Sequence, residues 1–262
     1  MRAYIEIAKK AYSRNMAYRA NYFFWIAGSI LSVCLMVYLW TALYSHRQEV
    51  AGINLRQMVT YAVLAELTSW MLWVETIWKI RERIRSGDVS LDLIRPVDYP
   101  TMMFADEVGT LLFSSTRVIP GFAILIVVFR ALPPASAHNG VLFALSLLFA
   151  YGVSFGSDLF VALFGFWTLE TVGLWEAKTI ITYFISGMFV PLWFFPKGVQ
   201  RVVSVLPFGM IYHVPLSIYI GKLAGREAWN MIGLQIFWLV VTLISVRWIW
   251  RLARKHVLVQ GG

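Results

Sequence analysis

Three charged side chains stand where a bilayer would make them costly. Glu66, Arg117 and Asp158 each lie well inside a long apolar run. A charge at the centre of a membrane helix costs roughly 2.5–3.5 kcal/mol on insertion scales, so such residues pair with one another or face a polar cavity. A Glu66–Arg117 or an Asp158–Arg117 pair is chemically sensible, and the sequence does not choose between them. A packing seam and contact with a polar substrate both stay open, as does a misplaced span boundary.

Other reactive residues are sparse. The four histidines, His46, His138, His213 and His256, are scattered singly. His213 has neither a second histidine nor a carboxylate at ligand spacing, so no metal site is expected. The one cysteine, Cys34, sits in the first apolar run, where it excludes an intrachain disulfide and reads as a small apolar filler. A phosphate-cradling loop needs G-x-x-x-x-G-K-[ST]. That string does not occur, and Gly221-Lys222 lacks both the spacing and the following hydroxyl. No catalytic residue and no cofactor are expected in this chain. A membrane-embedded enzyme would need His, Asp, Glu or Ser clustered at one membrane face.

The elements that position these residues follow from composition. Of 262 residues, 59% are hydrophobic and 14% charged, and the mean hydropathy is +0.67. Soluble domains are nearer half apolar and about a quarter charged. The apolar residues fall in six blocks, roughly 22–44, 58–77, 108–129, 141–167, 172–193 and 231–250. Each is about long enough to cross a hydrocarbon core of ~30 Å as a helix. The first is too long for a signal-peptide core and reads as an uncleaved span. There is no internal repeat of the kind found in many secondary carriers.

The net charge is +9. Its basic residues flank the spans, so anionic lipid headgroups rather than nucleic acid are the expected partner. With Lys178 counted in the gap between blocks four and five, fifteen Lys and Arg fall on the side of the termini and seven on the other. Both termini are therefore expected in the cytoplasm of a multi-pass protein of the cytoplasmic (inner) membrane. Most Trp and Tyr lie near span ends, and Trp167, Trp193, Trp229, Trp248 and Trp250 fit interface anchors. Some aromatics could also face hydrophobic or cationic compounds. Gly152 and Gly156 have the spacing for close helix approach, and Pro120 could kink the third span.

Three segments are more than connectors. In residues 1–21, Ala3, Tyr4, Ile7, Ala8 and Ala11 share one face and Arg2, Glu6, Lys9 and Lys10 the other, giving an amphipathic interfacial helix. In residues 78–100, block two continues as a helix through Arg85, and Ser86-Gly87 stops it. Asp88 or Ser90 caps a short helix over Val89–Ile94, and Pro96 ends it. Residues 194–225 are too apolar for a loop and too broken for a span. Pro196 starts one short helix over Lys197–Leu206, Pro207 stops it, and a second apolar stretch runs from Met210 to Gly221. Both suit re-entrant helices on the outer side. The fold class expected is all-α: a single polytopic membrane domain over residues 1–262, with six transmembrane helices, an N-terminal interfacial helix and short re-entrant helices before the last span.

Taken in order, these features resemble an ABC-2-type permease, the membrane subunit of an ATP-binding-cassette exporter. The likeness rests on the N-terminal helix, the six spans, Gly87-Asp-Val-Ser-Leu-Asp-Leu-Ile-Arg-Pro96, Gly187-Met-Phe-Val-Pro191-Leu-Trp-Phe-Phe-Pro196 and Leu206-Pro207-Phe208. The resemblance implies that Arg85 through Arg95 form the coupling helix that seats in an ATPase subunit, with Arg85, Gly87, Asp88, Leu91, Leu93 and Arg95 as its contacts. It implies that the helix from Tyr4 to about Tyr18, through Tyr4, Ile7, Ala8 and Ala11, is a connecting helix on the same ATPase. It also implies that Pro196, Pro207 and Phe208 belong to an outer gate. Two permease subunits, identical or different, would work with two ATPases that carry the ATP and Mg. An ion-coupled carrier using Glu66 and Asp158, or a lipid-modifying enzyme, is the alternative.

Overall fold

The computed structural model describes residues 2–17, 21–168 and 171–256, with side chains at all of these except 17, 21–26 and 117–126. Eleven helices form among them: α1 (Arg2–Ala17), α2 (Asn21–Leu43), α3 (Leu55–Leu72), α4 (Thr76–Ser86), α5 (Val89–Ile94), α6 (Tyr99–Phe129), α7 (Ala137–Leu163), α8 (Val172–Ile185), α9 (Lys197–Val203), α10 (His213–Tyr219) and α11 (Gly225–Ala253). The six apolar blocks become α2, α3, α6, α7, α8 and α11. The protein is an all-α membrane protein. Among the described residues, two helical stretches are long and apolar enough to cross a bilayer on length and composition, Ala137–Phe166 and Gly225–Ala253.

Among the described residues the one piece of sheet is a two-stranded hairpin, Glu49–Val50 against Ile53–Asn54. Ala51 and Gly52 turn it at φ 54° and 71°, the left-handed conformation that short hairpin turns need. Asn54 then caps α3 by accepting from the Gln57 N–H, while the Gln57 side chain accepts from the Asn54 N–H. This reciprocal cap fixes the start of a helix set in the core, whose Met58, Tyr61, Val63 and Leu64 are buried.

Block two does not run unbroken to Arg85. The helix stops at Leu72 and restarts at Thr76. No proline or glycine lies at the break; tertiary partners take up the freed backbone groups instead. The Ser154 hydroxyl donates to the Leu72 carbonyl, and Glu107 Oε1 accepts from the Glu75 N–H and the Thr76 hydroxyl. Block five is also shorter than expected. Its helix ends at Ile185 because Gly187 adopts φ 85°. There the Tyr61 hydroxyl donates to the Gly187 carbonyl at 2.6 Å and the His213 N–H to the Ser186 carbonyl at 2.8 Å. In contrast, the third block gains length: α6 begins at Tyr99, with Asp98 accepting from the Thr101 N–H and Pro100 in the first turn.

Helices α7 and α11 pack along the glycine pattern. A Cβ at Gly152 would stand 2.7 Å from Leu239 Cδ1, and one at Gly156 the same distance from Thr242 Oγ1. At Gly156 a Cβ would also stand 2.8 Å from Thr242 Cβ, so glycine there lets the two helices approach closely. Buried Gln235 of α11 fastens the same seam. Its amide donates to the Ser146 and Met210 carbonyls, and its oxygen accepts from the Ser146 hydroxyl.

Connections gather at two ends. At one end Tyr219 donates its hydroxyl to the Leu132 carbonyl, Asn139 donates to the Ile218 carbonyl and Lys222 to the Ala51 carbonyl. At the other end lie α1, α4, α5, the start of α6 and the end of α11, where Trp250 stacks on Tyr99 at 4.6 Å. Trp250 is 8% exposed and is therefore a core residue. Trp193, packed on Tyr61 and His213, is half-buried against the core. Trp229 and Trp248 stay exposed, as anchors would be.

Candidate functional site

The segment from Arg85 to Arg95 is built as a small exposed platform. Gly87 ends α4 with φ 78°, its N–H bonded to the Ile84 carbonyl. A left-handed residue here lets the chain turn back, and glycine adopts it without a Cβ clash. α5 follows for six residues, and Arg95 is extended before Pro96, as its position before a proline requires. Asp88 precedes α5, yet its side chain makes no capping bond. It accepts instead from the Ser86 hydroxyl at 2.9 Å, and Ser90 Oγ is buried without a hydrogen-bond partner. Neither residue caps the helix by its side chain.

The fastening is done by Asp92. This carboxylate is buried and takes Arg83 of α4 on one oxygen and Arg95 on the other, the second at 3.1 Å. Val89 is buried beside it. With Val89 and Asp92 turned inward, Leu91, Leu93 and Ile94 point out, at 60%, 36% and 79% exposure. Arg85, Asp88 and Arg95 are exposed around them. Burial and charge pairing thus hold a six-residue helix so that its apolar edge faces away from the protein. Sequence reasoning passed over Asp92, Arg83 and Ile94. The available signal was a lone acidic residue inside Val89–Ile94, flanked by arginines on both sides.

A charged network behind this platform joins four helices. Lys79 of α4 reaches Asp106 at 2.7 Å and Glu107 at 3.1 Å on α6. Arg14 of α1 reaches Asp106 at 3.0 Å, and Tyr151 of α7 donates to the Glu107 carbonyl. Asp106 and Glu107 went unnoticed in sequence because they lie just outside the third apolar block. α1 follows the expected amphipathic pattern, with Tyr4, Ile7 and Ala8 half-buried and Ala11 fully buried. Ala3 departs from it and is exposed. The buried face lies on α6: a Cβ at Gly109 would meet the Ala8 carbonyl and stand 2.8 Å from Ala11 Cβ. The Tyr4 hydroxyl accepts from the Asp98 N–H. Tyr18, expected at the end of this helix, lies outside the described residues.

Asp98 links the platform to the last helix. Burial raises its pKa, but hydrogen bonds from the Thr101 hydroxyl and N–H and the Arg247 guanidinium outweigh that and hold the carboxyl below the ordinary range. The Arg247 contact is 2.6 Å.

Among the charges within the apolar blocks, Asp158 pairs with Lys178 at 2.7 Å, the two facing each other from α7 and α8. Lys178 is therefore a half-buried helix residue, not a loop residue to be counted in the charge balance. Glu66 accepts from the Ser29 and Ser32 hydroxyls of α2, each at 3.0 Å. Arg117, the partner expected for one of them, has its side chain outside the described residues, as does Pro120. At the other end, Pro196 leads into α9 as expected, though α9 and α10 are seven residues each, shorter than the sequence suggested. Pro196 is exposed, Pro207 and Phe208 half-buried, and α10 wholly buried. His213 of α10 bonds Ser217 through Nδ1.

The sequence matches the family described as ABC-2 family transporter protein over residues 30–258. This chain belongs to the ABC-2 transporter family. The match includes the platform, the charged network apart from Arg14, and both short helices, and it leaves α1 outside. No curated protein matches the chain. The chain is thus a membrane permease of an ABC transporter, a transport subunit rather than a catalytic one. Permeases of this family work with an ABC ATPase.

Proposed function

We propose that this permease exports its substrate across the cytoplasmic membrane, driven by ATP hydrolysis on separate subunits. Six spans, α2, α3, α6, α7, α8 and α11, cross the bilayer with both termini in the cytoplasm. Two permease subunits, identical or homologous, form the path at their interface and alternate between inward and outward openings. Each engages one ATPase, which carries the ATP and Mg. α5, through Arg85, Gly87, Asp88, Leu91, Leu93 and Arg95, is the coupling helix. α1, through Tyr4, Ile7, Ala8 and Ala11, is a connecting helix beside it. Pro196, Pro207 and Phe208 lie in an outer gate formed by α9 and α10. The observation that carries this reading is the outward apolar edge of α5, held in place by the buried Asp92. An exposed apolar edge rimmed by charged residues is the kind of surface that marks a protein interaction site.

The network of Lys79, Asp106, Glu107 and Arg14 gives motion of the platform a rigid route. A push on α5 reaches α4 through Asp92, and α6 and α1 through Lys79. Leu91→Pro and Asp88→Arg test the assignment in the purified permease–ATPase complex. Both variants are expected to assemble and to lose substrate-stimulated ATP hydrolysis. Wild-type stimulation in both would overturn the coupling role of α5.

A further inference from the structure

We propose that Glu66 is the recognition carboxylate for the compact cationic head of an amphipathic amine, the substrate class of this permease. The inference rests on the permease reading above. Glu66 lies two-thirds of the way along α3, half-buried, in a block that the permease reading places in the bilayer. Two serine hydroxyls of α2 donate to it, one to each oxygen. Hydroxyl donors orient a carboxylate without cancelling its charge. Among the described residues no cation lies within ion-pairing distance of it. Asp158, by contrast, has Lys178 on it. A half-buried carboxylate that is held only by hydroxyls among the described residues is costly in hydrocarbon, and a cationic ligand would relieve that cost.

The surroundings suit such a ligand. A cavity of about 10 Å³ lies against Glu66, lined by Met36, Ala62, Ala65, Met188 and Phe189. That admits about one water-sized group, which matches an ammonium head and excludes a bulky one. Phe189 stands edge-to-face with Tyr183 at 5.5 Å. Aromatic rings and the polarisable thioethers of Met36 and Met188 are favourable neighbours for a cation and its alkyl tail. Phe189 is 36% exposed, and Leu35, on α2, is 62% exposed, so the tail has an apolar surface to follow outside the cavity.

The test uses dansylcadaverine, a fluorescent primary alkylamine, with its neutral N-acetyl derivative as control. Both are titrated onto the permease in nanodiscs, with empty nanodiscs subtracted. The wild type is expected to bind the amine saturably and the acetylated probe not at all. Glu66→Gln is expected to weaken binding by about tenfold or more, as loss of a buried charge partner does. Glu66→Asp, which keeps the charge, should retain saturable binding. That retention guards against a merely structural reading of Glu66→Gln. With the ATPase bound, the amine should accelerate hydrolysis in the wild type, and Glu66→Gln should show the basal rate alone. No saturable binding to the wild type, equal binding of the acetylated probe, equal affinity in Glu66→Gln, or binding without stimulated hydrolysis would each overturn the assignment. Failure to recover any ATPase with the chain would instead count against the permease reading, and the titration on the permease alone would still decide the amine site.

Discussion

One oxygen of Glu107 accepts from the Glu75 N–H, the Thr76 hydroxyl and Lys79, while its other oxygen is buried without a partner among the described residues. The carboxylate therefore acts as a cap built from another helix, set against the positive end of α4. A glutamine can keep the accepting oxygen and place its amide where the carboxylate has no partner. Glu107→Gln should unfold within about 1 kcal/mol of the wild type, whereas Glu107→Leu leaves a backbone donor and a hydroxyl unpaired at roughly 1–3 kcal/mol each. Chemical denaturation of the purified protein in detergent checks the difference. Asp98 makes a pH prediction. Its folded carboxyl titrates below the ordinary value, so its contribution is present above the unfolded pKa of about 3.9 and is lost as pH falls through the lower folded value. The melting difference between wild type and Asp98→Asn should be constant from about pH 8 to 5 and shrink below about pH 4. These side chains were the least legible part of the sequence. Glu107 and Asp92 matter through what folding brings to them, Thr76 in one case and Arg83 in the other, and no local spacing encodes that.

Elements were more legible where the chain itself dictates them. Gly87 and Pro96 bracket α5 as read from sequence, and Pro196 starts α9. Gly152 and Gly156 line the α7–α11 contact that their spacing suggested. At this seam Gly156→Leu would drive a side chain into Thr242, whose Oγ1 would lie 2.7 Å from the new Cβ. Overpacking of this kind costs about 1–3 kcal/mol, so the variant should melt earlier and separate α7 from α11, read by faster hydrogen exchange along both helices. Breaks imposed by tertiary contact were not legible. The interruption at Trp73–Glu75 carries no helix-breaking residue, and hydropathy alone extends block two straight through it. Block five looks like a full span in sequence, but its helix stops at Ile185, where Tyr61 and His213 capture the last carbonyls. At about 1.5 Å per residue its fourteen residues rise about 21 Å, short of a ~30 Å core.

At the scale of the whole molecule, the order of features was enough for the family, because an ABC-2 permease is defined by the succession of apolar blocks and connecting segments. The two-ended gathering of loops agrees with a chain that alternates direction at each block. α5 sits at the end where α1 and the last turn of α11 also lie, so a partner seated on α5 would lie beside both terminal helices. This arrangement gives the central claim its most direct test. The tagged permease is purified gently from its native membrane and the accompanying proteins are identified by mass spectrometry, for the wild type and for a Leu91→Glu/Leu93→Glu variant. The account predicts a soluble ATPase bearing a phosphate-binding loop, stoichiometric with the wild type and largely lost from the variant, with both permeases equally folded. A wild-type chain recovered alone, or an ATPase retained equally by the variant, would contradict it.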